Sequence, residues 1–203
     1  MKLYQSPSSP FARKVLVAAH ERGIADQIEF ALMAGIRNGE LAADNPLAKV
    51  PSLVLDDGTA IYDSLVIVSY FDGLGAGPAL IPSDPAARTT VLVRHALANG
   101  MMDAAVASVM ETRRPDDKIW PDFIQDQHGK VTRGLDTLEG DVAAMGDDVD
   151  ISTLSVACAL GYIDFRLGDM GWRNGRPALA AWYEGFAKRP SMIGTVPSNP
   201  PSA

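Results

Sequence analysis

The chain has 203 residues, which suits one large domain or two modest ones, and 47% of them are apolar, enough for a buried core. Its net charge of -7 leaves no basic stripe to follow a phosphate backbone, so nucleic acid is excluded as a partner. The single cysteine, Cys158, excludes an intrachain disulfide framework and a CxxC site, and we expect it to pack in the core of a protein without metal.

The first part of the chain alternates short strands with helices. Residues 2–5 are predicted to form a strand, and apolar side chains at helical spacing predict a helix over residues 10–21 that stops at Gly23. Alternating apolar residues predict a second strand over 28–32. A short helix or loop is expected over 37–45. The chain runs straight into the first strand without a signal-like leader, so the expectation is a cytoplasmic protein with no membrane segment.

A hairpin and a third helix follow. Asp57-Gly58 is a strong turn signal between strands predicted at 53–55 and 59–62. Ser64 is predicted to cap the next helix, which ends near residue 73. The element order is therefore βαβ, a connecting segment and ββα, which predicts an α/β fold for this part of the chain.

Residues 73–82 are rich in Gly and Pro, and their composition predicts an interdomain linker. Ser83 or Asp84 then caps a long helix that opens with Pro85. The sequence therefore predicts two domains, an α/β domain at residues 1–78 and an all-α helical bundle at residues 85–190.

The second domain is predicted to be helical throughout. Apolar side chains recur at helical intervals in two later segments, at Val131, Leu135, Leu138 and Val142, and at Ala178, Trp182 and Phe186. Residues 151–170 are the most apolar stretch but contain three charges, which favours a buried core helix over a membrane span. The Pro- and Ser-rich tail from residue 190 is expected to lie on the surface without regular structure.

Residues 4–14 place several hydroxyl groups where the first strand gives way to a helix. The free amides and the positive dipole end of that helix would stabilise a thiolate beside Ser9. Ser9 itself has no histidine nearby in sequence to act as its base, so we interpret it as a hydrogen-bond donor and not as a nucleophile. The alternative is that Ser9 only caps the helix.

Two further positions would suit a peptide ligand. Pro51 lies where a domain of this order carries a cis proline before its third strand, which would leave the backbone of Val50 open to pair with an extended peptide. Asp63 and Ser64, at the start of the next helix, can hold the ammonium and carboxylate of an amino-acid head group. The alternatives are an ordinary turn proline and a simple helix cap.

Three short motifs occur in the order and spacing typical of one family. They are Ser9-Pro10-Phe11 with Arg13-Lys14, then Lys49-Val50-Pro51, then Asp63-Ser64 with Ile67 and Tyr70. Together they resemble the N-terminal domain of glutathione S-transferases. The resemblance implies a thioredoxin-like first domain in which Ser9 stabilises the thiolate of glutathione. It also implies that Val50 pairs with the cysteinyl backbone, that Asp63 and Ser64 hold the γ-glutamyl group, and that the protein is a symmetric homodimer.

The second domain also resembles this family, and the resemblance covers about residues 1 to 190. Residues 151–156 are similar to the capping box of the family's buried sixth helix, with Ser152 as the N-cap. Ser155 stands where the family usually has aspartate, which predicts a weaker cap, and Ala48 stands where it often has glycine.

The expected activity is attack of the glutathione thiolate on a small hydrophobic electrophile bound between the domains. By position, candidates for the electrophile pocket are Phe11, Asn99, Met102, Asp103 and Trp120. The sequence leaves open a glutathione-dependent isomerase or dehalogenase, and a noncatalytic glutathione-binding or interaction protein. A thiol-transfer oxidoreductase is disfavoured because a serine cannot form a mixed disulfide.

Overall fold

The computed structural model describes residues 1–32, 39–75, 77–146 and 148–199. Residues 37 and 38 of the predicted short helix, residue 76 of the predicted linker and residues 200–203 of the predicted tail lie outside these ranges. The first part of the chain contains the elements β1 Lys2–Gln5, α1 Pro10–Glu21, β2 Glu29–Leu32, α2 Gly39–Asp44, β3 Ser52–Val54, β4 Ala60–Ile61 and α3 Ser64–Leu74.

The strands form one mixed sheet in the order β2-β1-β3-β4. β1 pairs in parallel with β2, with Leu3 opposite Phe30, and antiparallel with β3, with Leu3 opposite Leu53. The hairpin between β3 and β4 turns at Gly58, which has the positive φ of 86° that favours glycine. The α/β prediction for this part is thus confirmed, with the thioredoxin-like order of elements.

The rest of the described chain is mainly helical, as predicted. Its helices are α4 Pro85–Glu111, α5 Pro121–Met145, α6 Ile151–Arg166, α7 Pro177–Phe186 and α8 Pro190–Ile193. The predicted core helix is α6, in which every residue from 151 to 163 is buried. It packs against α4 and also against α1, so α1 lies between the sheet and the helical part. Within the described ranges, none of the helices combines the length and apolar character that crossing a bilayer demands.

Cys158, on α6, is fully buried, which confirms the expected packing role. Burial raises the pKa of its thiol to about 11, so the group stays protonated and unreactive at neutral pH.

The predicted N-caps of α3 and α6 are each displaced toward the N-terminus. Asp63, not Ser64, caps α3: its carboxylate accepts from the Leu65 amide at 3.0 Å while Ser64 is already helical. Asp150, not Ser152, caps α6. An aspartate reaches the free amides of the first turn as well as a serine does, so either residue satisfies the sequence pattern.

The cap of α6 is complete. The Asp150 carboxylate accepts from the amides of Ser152 at 2.7 Å and Thr153 at 2.9 Å, and the Thr153 hydroxyl accepts from the Asp150 amide at 2.9 Å. This is a full capping box, so the weaker cap expected from Ser155 is wrong. Ser155 lies one turn further on, and its hydroxyl donates to a backbone carbonyl of its own helix.

Of the three predicted inward residues of α7, Phe186 is confirmed and the other two are wrong by one position. Leu179, Tyr183 and Phe186 are buried, whereas Ala178 is exposed and Trp182 is half-buried. Because the sequence carries apolar residues on both sides of this helix, spacing alone does not determine which set faces the core.

Residues 189–198, here called the C-terminal strap, are more ordered than their composition predicts. They include α8, and the Arg189 guanidinium binds both carboxylate oxygens of Glu21 at 2.9 Å. Arg13 donates to the carbonyl of Met192 at 3.1 Å. The expectation of a tail without regular structure is therefore wrong for residues 190–193, whereas residues 194–199 contain no helix or strand, as predicted. The ion pair of Arg189 and the hydrogen bond from Arg13 fix the segment along α1.

The strap ends at the loop that precedes Ser9. The amide of Ser198 donates to the carbonyl of Pro7 at 3.2 Å. Since Glu21 lies at one end of α1 and Pro7 just before the other, the strap runs the length of this helix.

The buried Arg22 and the partly buried Asp72 fix the segment after α3. The Arg22 guanidinium donates to backbone carbonyls of Asp72, Gly75, Gly77 and Pro78. The Asp72 carboxylate accepts from the amides of Leu80 at 2.6 Å and Ile81 at 3.2 Å, and lies 3.7 Å from the Arg22 Nε. This segment contains the predicted linker, and it is held to the end of α1.

Candidate functional site

Ser9 lies at the N-cap of α1, as the sequence predicts. Its backbone is extended, with φ -86° and ψ 121°, and its Oγ accepts from the amide of Ala12 at 3.2 Å. In that bond the hydroxyl is the acceptor, so its hydrogen remains available to a ligand. Ser9 is only half-buried. A thiolate placed here would meet a hydroxyl donor and the positive end of the helix dipole.

The peptide bond between Val50 and Pro51 is cis, which confirms that prediction. Over the part of the chain that the structure describes, neither the N–H nor the C=O of Val50 has a hydrogen-bond partner. Both groups are therefore available to the backbone of an extended ligand.

The loop that carries Val50 is organised by Asn45, a residue that sequence reasoning missed. Asn45 is buried, and its amide nitrogen donates to the Lys49 carbonyl at 3.1 Å and the Ser52 hydroxyl at 2.8 Å. Its side-chain oxygen accepts from the Leu47 amide at 2.9 Å. An Asn-Pro dipeptide signals such a turn, so the pattern was present at residues 45 and 46.

Ala48, in the same loop, adopts the left-handed conformation with φ 48°. This is the position where the resembled family often has glycine, which tolerates that conformation without steric strain. An alanine there costs about 1 kcal/mol, which the hydrogen bonds of Asn45 help to offset.

Asp63 and Ser64 lie together where α3 begins. The Asp63 carboxylate is exposed and accepts one bond from its own helix, while Ser64 is buried, with only 3% of its surface exposed. The Ser64 N–H belongs to the first turn, whose amides have no intrahelical partner. An acid and a free amide are thus adjacent at a helix N-terminus.

Lys14 belongs to the first family motif, but sequence reasoning assigned it no role. It is fully buried between α1 and α4, where its Nζ donates to the Asn99 Oδ1 at 2.9 Å. Desolvation lowers the pKa of the Lys14 ammonium to about 8, while the nearby carboxylates of Asp63 and Asp103 oppose that shift. The Lys14 ammonium therefore interacts electrostatically with a carboxylate at the start of α3 and with one in the middle of α4. Apart from that motif, the sequence signal was a charged residue within a largely apolar helix.

The structure separates the candidates for the electrophile pocket. Met102 is fully buried and packs in the core, and Asn99 is engaged by Lys14. Asp103 is exposed on α4, and Phe11 is half-buried against the core. Trp120 is 59% exposed and stacks on an aromatic ring of α5 at a centroid distance of 6.0 Å. Among these five, Asp103 is the residue whose carboxylate interacts electrostatically with that of Asp63.

Family models match both parts of the chain. The N-terminal domain of glutathione S-transferase matches residues 8–74, and the C-terminal domain of glutathione S-transferase matches residues 121–185.

Individual proteins match over nearly the whole length. An uncharacterized GST-like protein of Escherichia coli, YibF, is 38% identical over 97% of this chain and 98% of its own. The crystal structure of a glutathione transferase family member from Pseudomonas fluorescens Pf-5, with bound glutathione, superimposes with a TM-score of 0.93 at 41% identity, covering 99% of both chains.

A glutathione S-transferase from Methylobacillus flagellatus KT, also with glutathione bound, has a TM-score of 0.88 at 38% identity over 97% of this chain and 99% of that one. Sequence and backbone thus agree with these relatives over nearly the whole chain, and the two family models match a large part of it. The chain belongs to the glutathione S-transferase family.

Proposed function

We propose that this protein is a glutathione transferase that joins the thiolate of glutathione to a small hydrophobic electrophile. The electrophile would lie between an N-terminal domain of residues 1–78 and a helical domain of residues 85–190. The observation that carries this proposal is the half-buried Ser9 hydroxyl at the N-terminus of α1, with a hydrogen left to donate. Glutathione bound in relatives of 38% and 41% identity supports the choice of ligand.

The proposed chemistry is a nucleophilic substitution. The thiol of glutathione loses its proton to solvent, and the Ser9 hydroxyl and the first-turn amides of α1 stabilise the sulfur anion. These interactions lower the thiol pKa by about 1 to 2 units from its free value of about 8.5 to 9. The sulfur then forms a bond to the electrophilic carbon, and the leaving group departs with the electron pair of the broken bond.

The rest of glutathione would be held by backbone and charge. Val50 would pair its N–H and C=O with the cysteinyl backbone in antiparallel fashion. Asp63 would bind the ammonium of the γ-glutamyl group, and the Ser64 hydroxyl and N–H its carboxylate. Because the protein has a net charge of -7, such local groups, and not its overall field, must hold the anionic ends of the ligand.

The first experiment is calorimetric titration with glutathione, followed on the same sample by turnover of a model aryl halide. Binding with turnover supports the proposal. Binding alone would favour an isomerase, a dehalogenase or a noncatalytic role. Absence of binding would refute the assignment of Val50, Asp63 and Ser64.

Replacing Ser9 tests the thiolate directly. Ser9→Ala removes the donor, so we expect the pKa of the bound thiol to rise by about 1 unit. At pH values below that pKa, kcat/KM should fall about 10-fold. The dissociation constant of glutathione should change by less than about 2-fold. Ultraviolet absorbance of the thiolate against pH measures the pKa. Ser8→Ala, which removes a neighbouring hydroxyl, is the matched control and should match the unmodified protein. An unchanged thiol pKa in Ser9→Ala would remove Ser9 from the mechanism.

We also propose that the protein is a homodimer. A groove of about 870 Å³ between α4 and α5 exposes Val93, whose side chain is 64% accessible, and α3 exposes Val66 at 49%. Two copies could cover these apolar surfaces if α3 of one packs on the groove of the other.

Sedimentation should give twice the chain mass of 21.6 kDa for the unmodified protein. Val93→Asp should shift the mass toward one chain because it places a charge in the buried contact. Met110→Asp replaces an exposed apolar residue of the same helix outside the groove and is the control. A monomeric unmodified protein would contradict the proposal.

A further inference from the structure

Helices α4 and α6 both begin beside the C-terminal end of α1. Arg22, at that end, donates to backbone carbonyls of the segment that leads into α4. The amide of Ile151, the first residue of α6, donates to the Leu80 carbonyl of the same segment at 2.9 Å. Both helices therefore start at the end of α1 that lies furthest from Ser9.

From that end, α4 and α6 run toward the side of the molecule on which α1 begins. The Lys14 ammonium donates to the Asn99 Oδ1 of α4 at 2.9 Å, and Gly161, late in α6, lies against the Arg13 guanidinium. At 1.5 Å per residue, Arg13 is only about 6 Å from Ser9 along α1. The last turn of α6 and the C-terminal end of α4 therefore lie on the Ser9 side of the molecule.

Tyr162 lies in this part of α6, on the face directed at α4. The same face carries Ser155, whose Oγ lies 3.0 Å from the His95 Nδ1 of α4, and a spacing of seven residues returns a helix to the same face. Tyr162 is 4% exposed, yet its hydroxyl has no hydrogen-bond partner in the described part of the chain and its oxygen reaches solvent. Burial raises the pKa of the Tyr162 phenol, so at neutral pH it keeps a hydrogen to donate.

Two arginines act on this hydroxyl and have no carboxylate of their own. Arg166 ends α6, with its guanidinium carbon 4.0 Å from the centroid of the Phe165 ring. Arg113 follows α4, and its Nη1 turns back to lie 3.8 Å from the Met110 Sδ. Both charges oppose the rise in the pKa of Tyr162. Among the residues that the structure describes, neither arginine has an ion-pair partner.

The acidic side chains two residues before each arginine are engaged elsewhere. Glu111 accepts from Arg114 and from the Trp120 amide, both at 2.9 Å. Asp164 accepts from Arg173 with both oxygens, at 2.6 and 2.8 Å. In a protein of net charge -7, two guanidinium groups beside a free hydroxyl donor thus make a local positive site. Donors of this kind suit a carboxylate, which accepts charge-assisted hydrogen bonds.

We infer that the electrophile carries a carboxylate, which Tyr162, Arg113 and Arg166 bind while its reactive carbon meets the thiolate beside Ser9. The inference rests on the proposed function, since it names the substrate class of the same transferase site. It adds one anionic group to the small hydrophobic electrophile. The covalent step is unchanged: the carboxylate is bound and thereby orients the reactive carbon, and it takes no part in bond formation.

The test compares two inert product analogues by calorimetry at neutral pH, S-(p-carboxybenzyl)glutathione and S-(p-carbamoylbenzyl)glutathione. They share the glutathione part and nearly the same shape, but they differ by one negative charge. We expect the unmodified protein to bind the carboxylate about 10-fold more tightly than the amide. The double variant Arg113→Gln/Arg166→Gln should reduce this preference to less than about 2-fold.

Arg113→Gln alone should reduce the preference to about 3-fold, and it serves if the double variant does not fold, since Arg113 is exposed. Arg88→Gln is its matched control. Arg88 is exposed near the other end of α4, so this variant makes the same change in net charge away from the site and should keep the preference.

Three outcomes would overturn the inference: equal affinities of the unmodified protein for the two analogues, a preference that survives in the double variant, or no binding of either analogue where glutathione binds. Each leaves the proposed function intact as long as glutathione binds and the model aryl halide is turned over. No binding of the analogues or of glutathione would refute the proposed function itself, and the inference with it.

Discussion

Arg22→Met is expected to lower the free energy of unfolding by about 3 to 5 kcal/mol, the largest effect that we predict for one substitution. Arg22 is 4% exposed and is the shared donor for four backbone carbonyls of the segment after α3. Methionine fills much of the same space but donates nothing. These part-buried carbonyls would lose their shared donor, and Asp72 would lose its counter-charge.

Urea denaturation followed by circular dichroism measures this loss. Arg88→Met is the matched control, since Arg88 is exposed on α4, and it should change stability by less than about 0.5 kcal/mol. A loss below about 1 kcal/mol in Arg22→Met would show that the segment finds other donors and is not held by this side chain.

Gly161→Ala is expected to destabilise the protein by about 2 to 3 kcal/mol, although the change improves helix propensity by about 1 kcal/mol. A Cβ at this position in α6 would lie 2.8 Å from the Tyr183 hydroxyl and closer still to the Arg13 guanidinium. Neither group can move aside easily, because Arg13 is buried and bonded to the Met192 carbonyl. The same crowding should displace the C-terminal strap.

Gly100→Ala measures the gain in helix propensity at a position where an added Cβ meets no steric clash. Gly100 lies on an exposed part of α4, and no atom outside its own helix backbone and its immediate neighbours lies within 4 Å of the position of an added Cβ. This variant should gain about 0.5 to 1 kcal/mol. Thermal unfolding of both variants measures the difference, and a gain in Gly161→Ala would show that Arg13 and Tyr183 rearrange freely.

Local signals in the sequence were enough to predict the start of α1. Ser9 followed by Pro10 satisfies both the cap and the first helical position, and neighbouring residues do not compete for either. At α3 and α6 an aspartate lies just before the predicted serine, and the tertiary structure decides which one stays outside the helix. Since every residue of the first three turns of α6 is buried, it shows no apolar stripe from which its register could be predicted.

Long-range pairing was not predictable from one sequence. Lys14 is buried because Asn99, 85 residues further along the chain, receives its hydrogen bond. In the C-terminal strap, Arg189 pairs with Glu21 across 168 residues, which composition alone does not reveal. The candidate binding residues could be found because their signals are turns and helix starts. The network beneath them depends on how α1 and α4 meet.

The C-terminal strap has a consequence for biosynthesis. Domains fold in order of synthesis, and the sheet with α1 leaves the ribosome first. The groups that fasten α1 at both ends, Arg189 near Glu21 and Ser198 near Pro7, are made long after α1 itself. The nascent N-terminal part therefore holds the loop before Ser9 without this support until residue 198 has been synthesised. The final placement of that loop thus depends on synthesis of the helical part of the chain.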